Sequence, residues 1–184
     1  MQRDLVERAM TGDHDAFTEL ARISIGRLYV VARLILRDEA KAEDATQEAL
    51  IGAWRSIRGL RDPDRFEAWL HRLLVNACYR EARRDRRTGR LEIDVGILEI
   101  PGPDGSLDFA DRDQIERGFR RLDTDQRAVL VLHYYLGLRL DEAASVLGIP
   151  PGTVRSRLHR ATAAMRAALD ADDRVSMHTE RRTT

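Results

Sequence analysis

The chain has 184 residues, enough for one ordinary domain or two small ones, and with 43% hydrophobic and 34% charged residues it reads as folded and soluble rather than disordered. Thirty-one Lys plus Arg balance thirty-one Asp plus Glu, so net charge argues for no partner, and a single cysteine excludes an internal disulfide framework and disfavours a thiolate metal site. No apolar run approaches the roughly 18 residues of a membrane span and the start, MQRDLVERAM, lacks a signal-peptide core, which disfavours membrane insertion and makes the cytoplasm the expected location.

The distribution of charge says more than its sum. Residues 71–90 hold seven Arg against two acids, residues 91–113 seven acids against one Arg, and residues 153–169 four Arg and no acid. Two basic segments therefore flank an acidic one. Ala, Leu, Arg and Glu dominate, so helix is expected nearly everywhere.

From Leu5 to Arg84 apolar residues recur at helical spacing, with breaks near Asp13, at residues 37–39 and at residues 61–64, where RDPD supplies a turn and a helix start. About four helices follow. On the one from about Ala40 to Ile57, Ala42, Ala45, Ala49, Leu50, Ala53, Trp54 and Ile57 share an apolar arc, while Asp44, Gln47, Glu48, Ile51, Arg55 and Arg58 share the other. Ile51, ringed by Asp44, Glu48 and Arg55, has the anatomy of a protein contact, a small apolar anchor with a charged rim. The next helix, from about Asp64 to Arg84, buries Phe66, Trp69, Leu70, Leu73, Leu74 and Ala77. Arg72, Asn76, Tyr79 and Arg83 follow at spacings of 4, 3 and 4 along one ridge, suited to gripping phosphates and stacking an unpaired base.

Residues 89–113 mix Gly, Pro and acids without a sustained period and read as a flexible acidic linker; a short strand at residues 91–100 is the weaker alternative. Helical periodicity returns from Gln114 to about Leu169. Within it, a helix from about Leu140 to Leu147, a turn at Gly148 and a second helix opened by Pro151 form a helix-turn-helix. On the second helix Val154, Leu158, Ala161 and Met165 form the core arc. Arg155, Ser156, His159 and Arg160 form the opposite arc, which suits a major groove, with Arg157 at the margin and better placed for phosphate. Residues 171–184 read as a polar, frayed tail.

These segments, in this order, resemble the sigma-70 family, specifically its extracytoplasmic-function group, which keeps only domains two and four. DAFTELARISIGRLYVVARLIL with AEDATQEALIGAWR looks like the start of domain two, RFEAWLHRLLVNACYREARR like its promoter-contacting helix, and LDTDQRAVLVLHYYLGLRLDEAASVLGIPPGTVRSRLHRA like domain four. The resemblance implies an all-α protein of two small helical domains: residues 1–88 for core polymerase binding and the −10 element, a linker at 89–113, residues 114–170 for the −35 element, and a tail. It implies that Asp44, Gln47, Glu48, Ile51 and Arg55 bind the clamp helices of the largest polymerase subunit, and that the polymerase flap receives domain four. Arg72, Asn76, Tyr79, Arg80, Arg83 and Arg84 are then expected at the −10 element, and Arg139, Arg155, Ser156, Arg157, His159 and Arg160 at the −35 element. A separate anti-sigma protein is the expected inhibitor, with the acidic linker as a minor, salt-sensitive one. Two positions depart from the family pattern. Arg139 stands where a Ser or Thr is common, giving up a side-chain N-cap worth about 1 kcal/mol, and Arg80 stands where an acid is common.

The implied function is promoter recognition for RNA polymerase, without catalysis, cofactor or metal. His71 and Cys78 lie seven residues apart on one helix, about 10.5 Å along its axis, too far to act as base and nucleophile. The alternative is a helix-turn-helix regulator that binds duplex DNA without polymerase; it needs a sensor or receiver domain, and the first 88 residues read as wholly helical.

Overall fold

Four aspartates set where the helices start. Asp13, Asp38, Asp62 and Asp123 each accept a hydrogen bond from a backbone N–H two or three residues ahead, satisfying donors that a helix start leaves orphaned. Asp123 does so most completely: its carboxylate accepts from Gln126 N at 2.7 Å while the Gln126 amide oxygen accepts from Asp123 N at 3.0 Å. A computed structural model describes residues 2–88 and 109–180, with side chains for 2–84 and 115–170. Among these the helices are α1 (Gln2–Met10), α2 (His14–Leu36), α3 (Glu39–Ser56), α4 (Phe66–Thr88), α5 (Phe109–Arg120), α6 (Thr124–Leu130), α7 (Leu140–Leu147) and α8 (Pro151–Glu180), with no strand. A π turn at Val131–Tyr135 extends α6.

The all-α expectation therefore holds, and the breaks fall where the sequence placed them. Two ends differ. α5 begins at Phe109, inside the stretch read as linker, because no Gly or Pro stands between Gly105 and Gly118 to stop it. α8 continues to Glu180 where a frayed tail was expected, because the alanine-rich run from Ala161 carries strong helix propensity into a segment free of Gly and Pro. The strand alternative at residues 91–100, and the acidic side chains at 92, 94, 99, 104, 108, 111 and 113, lie outside the described residues and side chains.

Helices α1 to α4 close around Val6, Leu20, Leu28, Ile35, Ile57, Leu70 and Leu74, all nearly or fully buried. An alanine stripe on α3, Ala42, Ala45, Ala49 and Ala53, lets both α2 and α4 approach closely. Burying one such leucine is worth roughly 1.5–3 kcal/mol, so the four helices hold together through this interior rather than through surface pairs. In the C-terminal helices Leu132, Val129, Val146, Val154 and Ala161 play the same part. The two interiors are continuous, because α6 packs on α2 and α7 packs on α4. No described helix is long and apolar enough to cross a membrane.

Candidate protein and nucleic-acid interfaces

The polar arc of α3 is on the surface. Asp44, Gln47 and Arg55 are exposed, Glu48 is half-buried, and Ile51 shows 51% of its surface, a large apolar side chain held in water by a helix whose opposite face is packed. Beside it stands a residue that the wheel assigned wrongly. Trp54 was expected in the apolar arc, yet it is 37% exposed. Its ring packs edge-on against His14 and tilted against Phe17, both with centroids at 5.1 Å, so the start of α2 covers one side of the indole only. Leu50, also on that arc, is half-buried, and Thr46 takes a fully packed place instead, its hydroxyl donating to Ala42 O at 2.7 Å so that its polarity costs little. Ile51 and Trp54 together widen the apolar anchor beyond one residue.

On α4 the expected buried face is largely in place, with Phe66, Leu70, Leu74 and Ala77 buried and Trp69 and Leu73 partly so. The ridge opposite is less uniform than its spacing suggests. Arg72, Asn76 and Arg83 are exposed. Arg80 donates to Glu48 at 3.1 Å, linking the ridge to the α3 face, and Arg84 donates to Glu81 at 2.5 Å. Tyr79 is the correction: its hydroxyl is buried rather than presented along the ridge, near Asp125 and Arg157 but in hydrogen-bonding geometry with neither. Burial pushes its pKa up, so the phenol stays protonated. Asn76, Tyr79 and Arg83 line one side of a cleft of about 350 Å³, and Thr124, Asp125, Leu147, Ile149 and Arg157 line the other.

The helix-turn-helix follows its punctuation. Gly148 ends α7 in the left-handed region at φ 66°, and Pro151 opens α8. Val154 and Ala161 are buried, Leu158 and Met165 half-buried, and Arg155, Ser156, His159 and Arg160 are all exposed on one side. Arg157 faces away from them, its guanidinium 3.4 Å from Asp125. Arg139 is exposed at the start of α7 and supplies no side-chain cap, but its backbone N–H donates to Glu142 at 2.7 Å, so half of a capping box survives the missing hydroxyl.

Among the described residues Arg37, Glu81, Glu116 and Arg127 are buried charges that carried no sequence signal, beside Asp38, which caps α3. Their partners lie far along the chain or within a turn of helix, and no wheel detects a pair separated by 79 residues, as Arg37 and Glu116 are. His71 and Cys78 are buried in the α4 face; burial lowers the imidazole pKa and pushes the thiol up to about 12, which keeps it protonated and a poor nucleophile.

Two family models match the chain: Sigma-70 region 2 over residues 20–88 and Sigma-70 region 4 over residues 112–165. The chain is 35% identical over 162 residues to the ECF RNA polymerase sigma factor SigM of Mycobacterium tuberculosis, covering 87% of this chain and 80% of that protein. It is 34% identical over 186 residues to the RNA polymerase sigma factor CnrH of Cupriavidus metallidurans, covering 92% and 95%. Among solved structures, CnrH in complex with the cytosolic domain of CnrY superposes with a TM-score of 0.67 at 31% identity, over 93% of this chain and 98% of that one. The sigma factor RpoE of Bartonella quintana, in complex with the anti-sigma factor NepR, gives 0.68 at 27%, over 85% and 98%.

Proposed function

The chain belongs to the extracytoplasmic-function group of RNA polymerase sigma factors, which direct the core enzyme to promoters, and from that premise we propose how its surfaces divide the work. The exposed arc of α3, Asp44, Gln47, Glu48, Ile51 and Arg55, binds the clamp helices of the largest polymerase subunit. Trp54 adds to its apolar centre. The observation that carries this reading is Ile51, half in water at the middle of a charged ring, on a helix whose other side is a tightly packed alanine stripe.

Residues 1–88 then form the unit that holds polymerase and the −10 element, residues 114–170 the unit that reads the −35 element and rests on the polymerase flap, with 89–113 joining them and 171–184 as a tail. Arg72, Asn76, Arg83 and, once uncovered, Tyr79 grip the −10 element, the arginines through phosphates and the tyrosine by stacking on an unpaired base. Arg80 and Arg84 stand beside them as phosphate contacts. Arg155, Ser156, His159 and Arg160 read base edges in the major groove, while Arg139 and Arg157 approach phosphates. The protein carries no catalysis of its own and works in the cytoplasm. Its inhibitor is an anti-sigma protein, supported by the anti-sigma factor bound to the Bartonella relative. A regulator acting without polymerase would need a sensor where region 2 matches residues 20–88. The test is co-purification: tagged protein retains the polymerase subunits from extract, and the pair, but not the free chain, shifts a promoter duplex. A free chain that shifts the duplex equally well with no polymerase overturns the reading.

A further inference from the structure

The cleft of about 350 Å³ between α4 and the C-terminal helices has the volume of a small-molecule site, and its walls carry polar groups that the fold itself leaves unused. On the α4 wall Asn76 and Arg83 are exposed and, among the described residues, have no side-chain partner. Between them the Tyr79 hydroxyl is buried without a hydrogen bond, a state that costs free energy until an acceptor reaches it. Burial keeps that phenol protonated, so it faces the cleft as a donor. On the facing wall Leu147 and Ile149 offer apolar surface, and the Arg157 guanidinium stands 3.4 Å from the Asp125 carboxylate.

Each group selects one part of a ligand. Two arginines against one aspartate leave the cleft with a net positive charge, which favours an anion. An arginine on each wall suits a phosphate monoester, which presents several acceptor oxygens and carries about 1.5–2 negative charges at neutral pH. Asp125 repels a bare anion and accepts instead from a neutral donor, such as the hydroxyls of a ribose. The space between Tyr79 and the Leu147 and Ile149 surface takes a flat ring, and the Asn76 amide, donor and acceptor at once, can pair with the edge of a base. Among the described residues no third cation lines the cleft, so a triphosphate would bring charge that nothing there neutralises.

We infer that this cleft is a binding site for a ribonucleoside monophosphate, with Arg83 and Arg157 on the phosphate, Asp125 on the ribose hydroxyls and the base against Tyr79. The ligand touches both walls, and neither wall alone suffices. The site stands on the cleft and not on the promoter role given to α4 above: a chain that fails to hold polymerase still binds the nucleotide, and a chain that binds no nucleotide keeps its claim on promoter DNA.

The test is isothermal titration calorimetry of the full chain with each of the common ribonucleoside monophosphates. At least one binds with a Kd of about 10–100 μM, the range that a ligand of this size reaches at ordinary efficiency. Inorganic phosphate and the matching nucleoside each bind at least about tenfold more weakly, and Arg83→Gln and Arg157→Gln each weaken the nucleotide at least about tenfold with cooperative melting retained. Absence of saturable binding up to about 1 mM overturns the site. Phosphate that binds as tightly as the nucleotide overturns the ligand class, and a loss confined to Arg83→Gln puts the ligand on the α4 ridge alone and overturns the cleft. Where a variant melts without cooperativity, photo-cross-linking of the parent chain with a base-azido derivative of the bound nucleotide decides: label at Tyr79, Leu147 or Ile149 upholds the cleft, and label elsewhere overturns it.

Discussion

The α3 surface offers the sharpest test of the division of labour. In the double variant Glu48→Arg, Ile51→Asp the folded state loses little: Ile51 is half in water already, and the Glu48–Arg80 pair, with 40% and 49% of the side chains exposed, belongs to a class worth about 0.2–1 kcal/mol. Adding the repulsion between the new arginine and Arg80, the total is about 1 kcal/mol, or a fall of about 2–4 °C in melting temperature for a chain of this size. Binding is affected far more. A central apolar anchor and its charged neighbour each contribute about 2 kcal/mol or more when an interface is organised around them, so the double change weakens core polymerase binding by about a thousandfold. Fluorescence anisotropy of labelled protein titrated with core enzyme gives the affinity, and a thermal melt gives the control. Retention of parental affinity refutes the assignment of this face; loss of affinity with a melt lowered by 10 °C or more refutes the reasoning that Ile51 is free of the fold.

On the DNA side, Arg155→Ala is expected to cost holoenzyme about 1–3 kcal/mol at one base pair of the −35 element and to relax preference there, read by competition among single-base promoter variants. Leu132→Ala, at a fully buried position, should lower unfolding free energy by about 2–5 kcal/mol, whereas the same change at half-buried Leu158 should cost clearly less; equal losses in denaturant titrations would contradict the packing described. Burial lowers the pKa of His71 below its ordinary 6.5, with Glu67 opposing and Arg27 assisting, so the unfolded chain binds the proton first. Stability should therefore fall as pH drops below about 6.5 and level off once the folded-state pKa is passed, and His71→Leu should remove that component from the pH profile.

Local chemistry was legible in the sequence where it is enforced locally. The four capping aspartates, Gly148 and Pro151 act within a turn of themselves, so α2, α3, α4, α7 and α8 start or stop within about two residues of where punctuation put them. The alanine side of α3 and the Val154 and Ala161 side of α8 follow from period alone. Trp54 did not, because a wheel assumes a neighbour behind every apolar residue, and here only His14 and Phe17 provide one. Tyr79 did not either: its spacing fits a ridge, but the surface over it comes from α6 and α8, nearly fifty residues or more further on. Arg37, Glu116 and Arg127 read as ordinary solvated charges until the fold brings them together.

The π turn at Val131–Tyr135 has a consequence for how this chain tolerates change. Leu136 N–H bonds to Val131 O, five residues back, so the run from Thr124 takes in one residue more than a regular helix would. Each residue of a helix is worth about 100° of rotation, and the extra one sets the phase in which α7 and α8 leave the body. Five residues in succession, Ala128 to Leu132, are buried up to and into the turn; within it Tyr134 swings out to 66% exposure. Deleting a single residue between His133 and Tyr135 would restore an ordinary helix, and in doing so turn the whole reading hairpin through about a quarter of a circle. In this stretch length is therefore constrained more tightly than identity: a conservative exchange alters one contact, whereas a gap re-aims the hairpin.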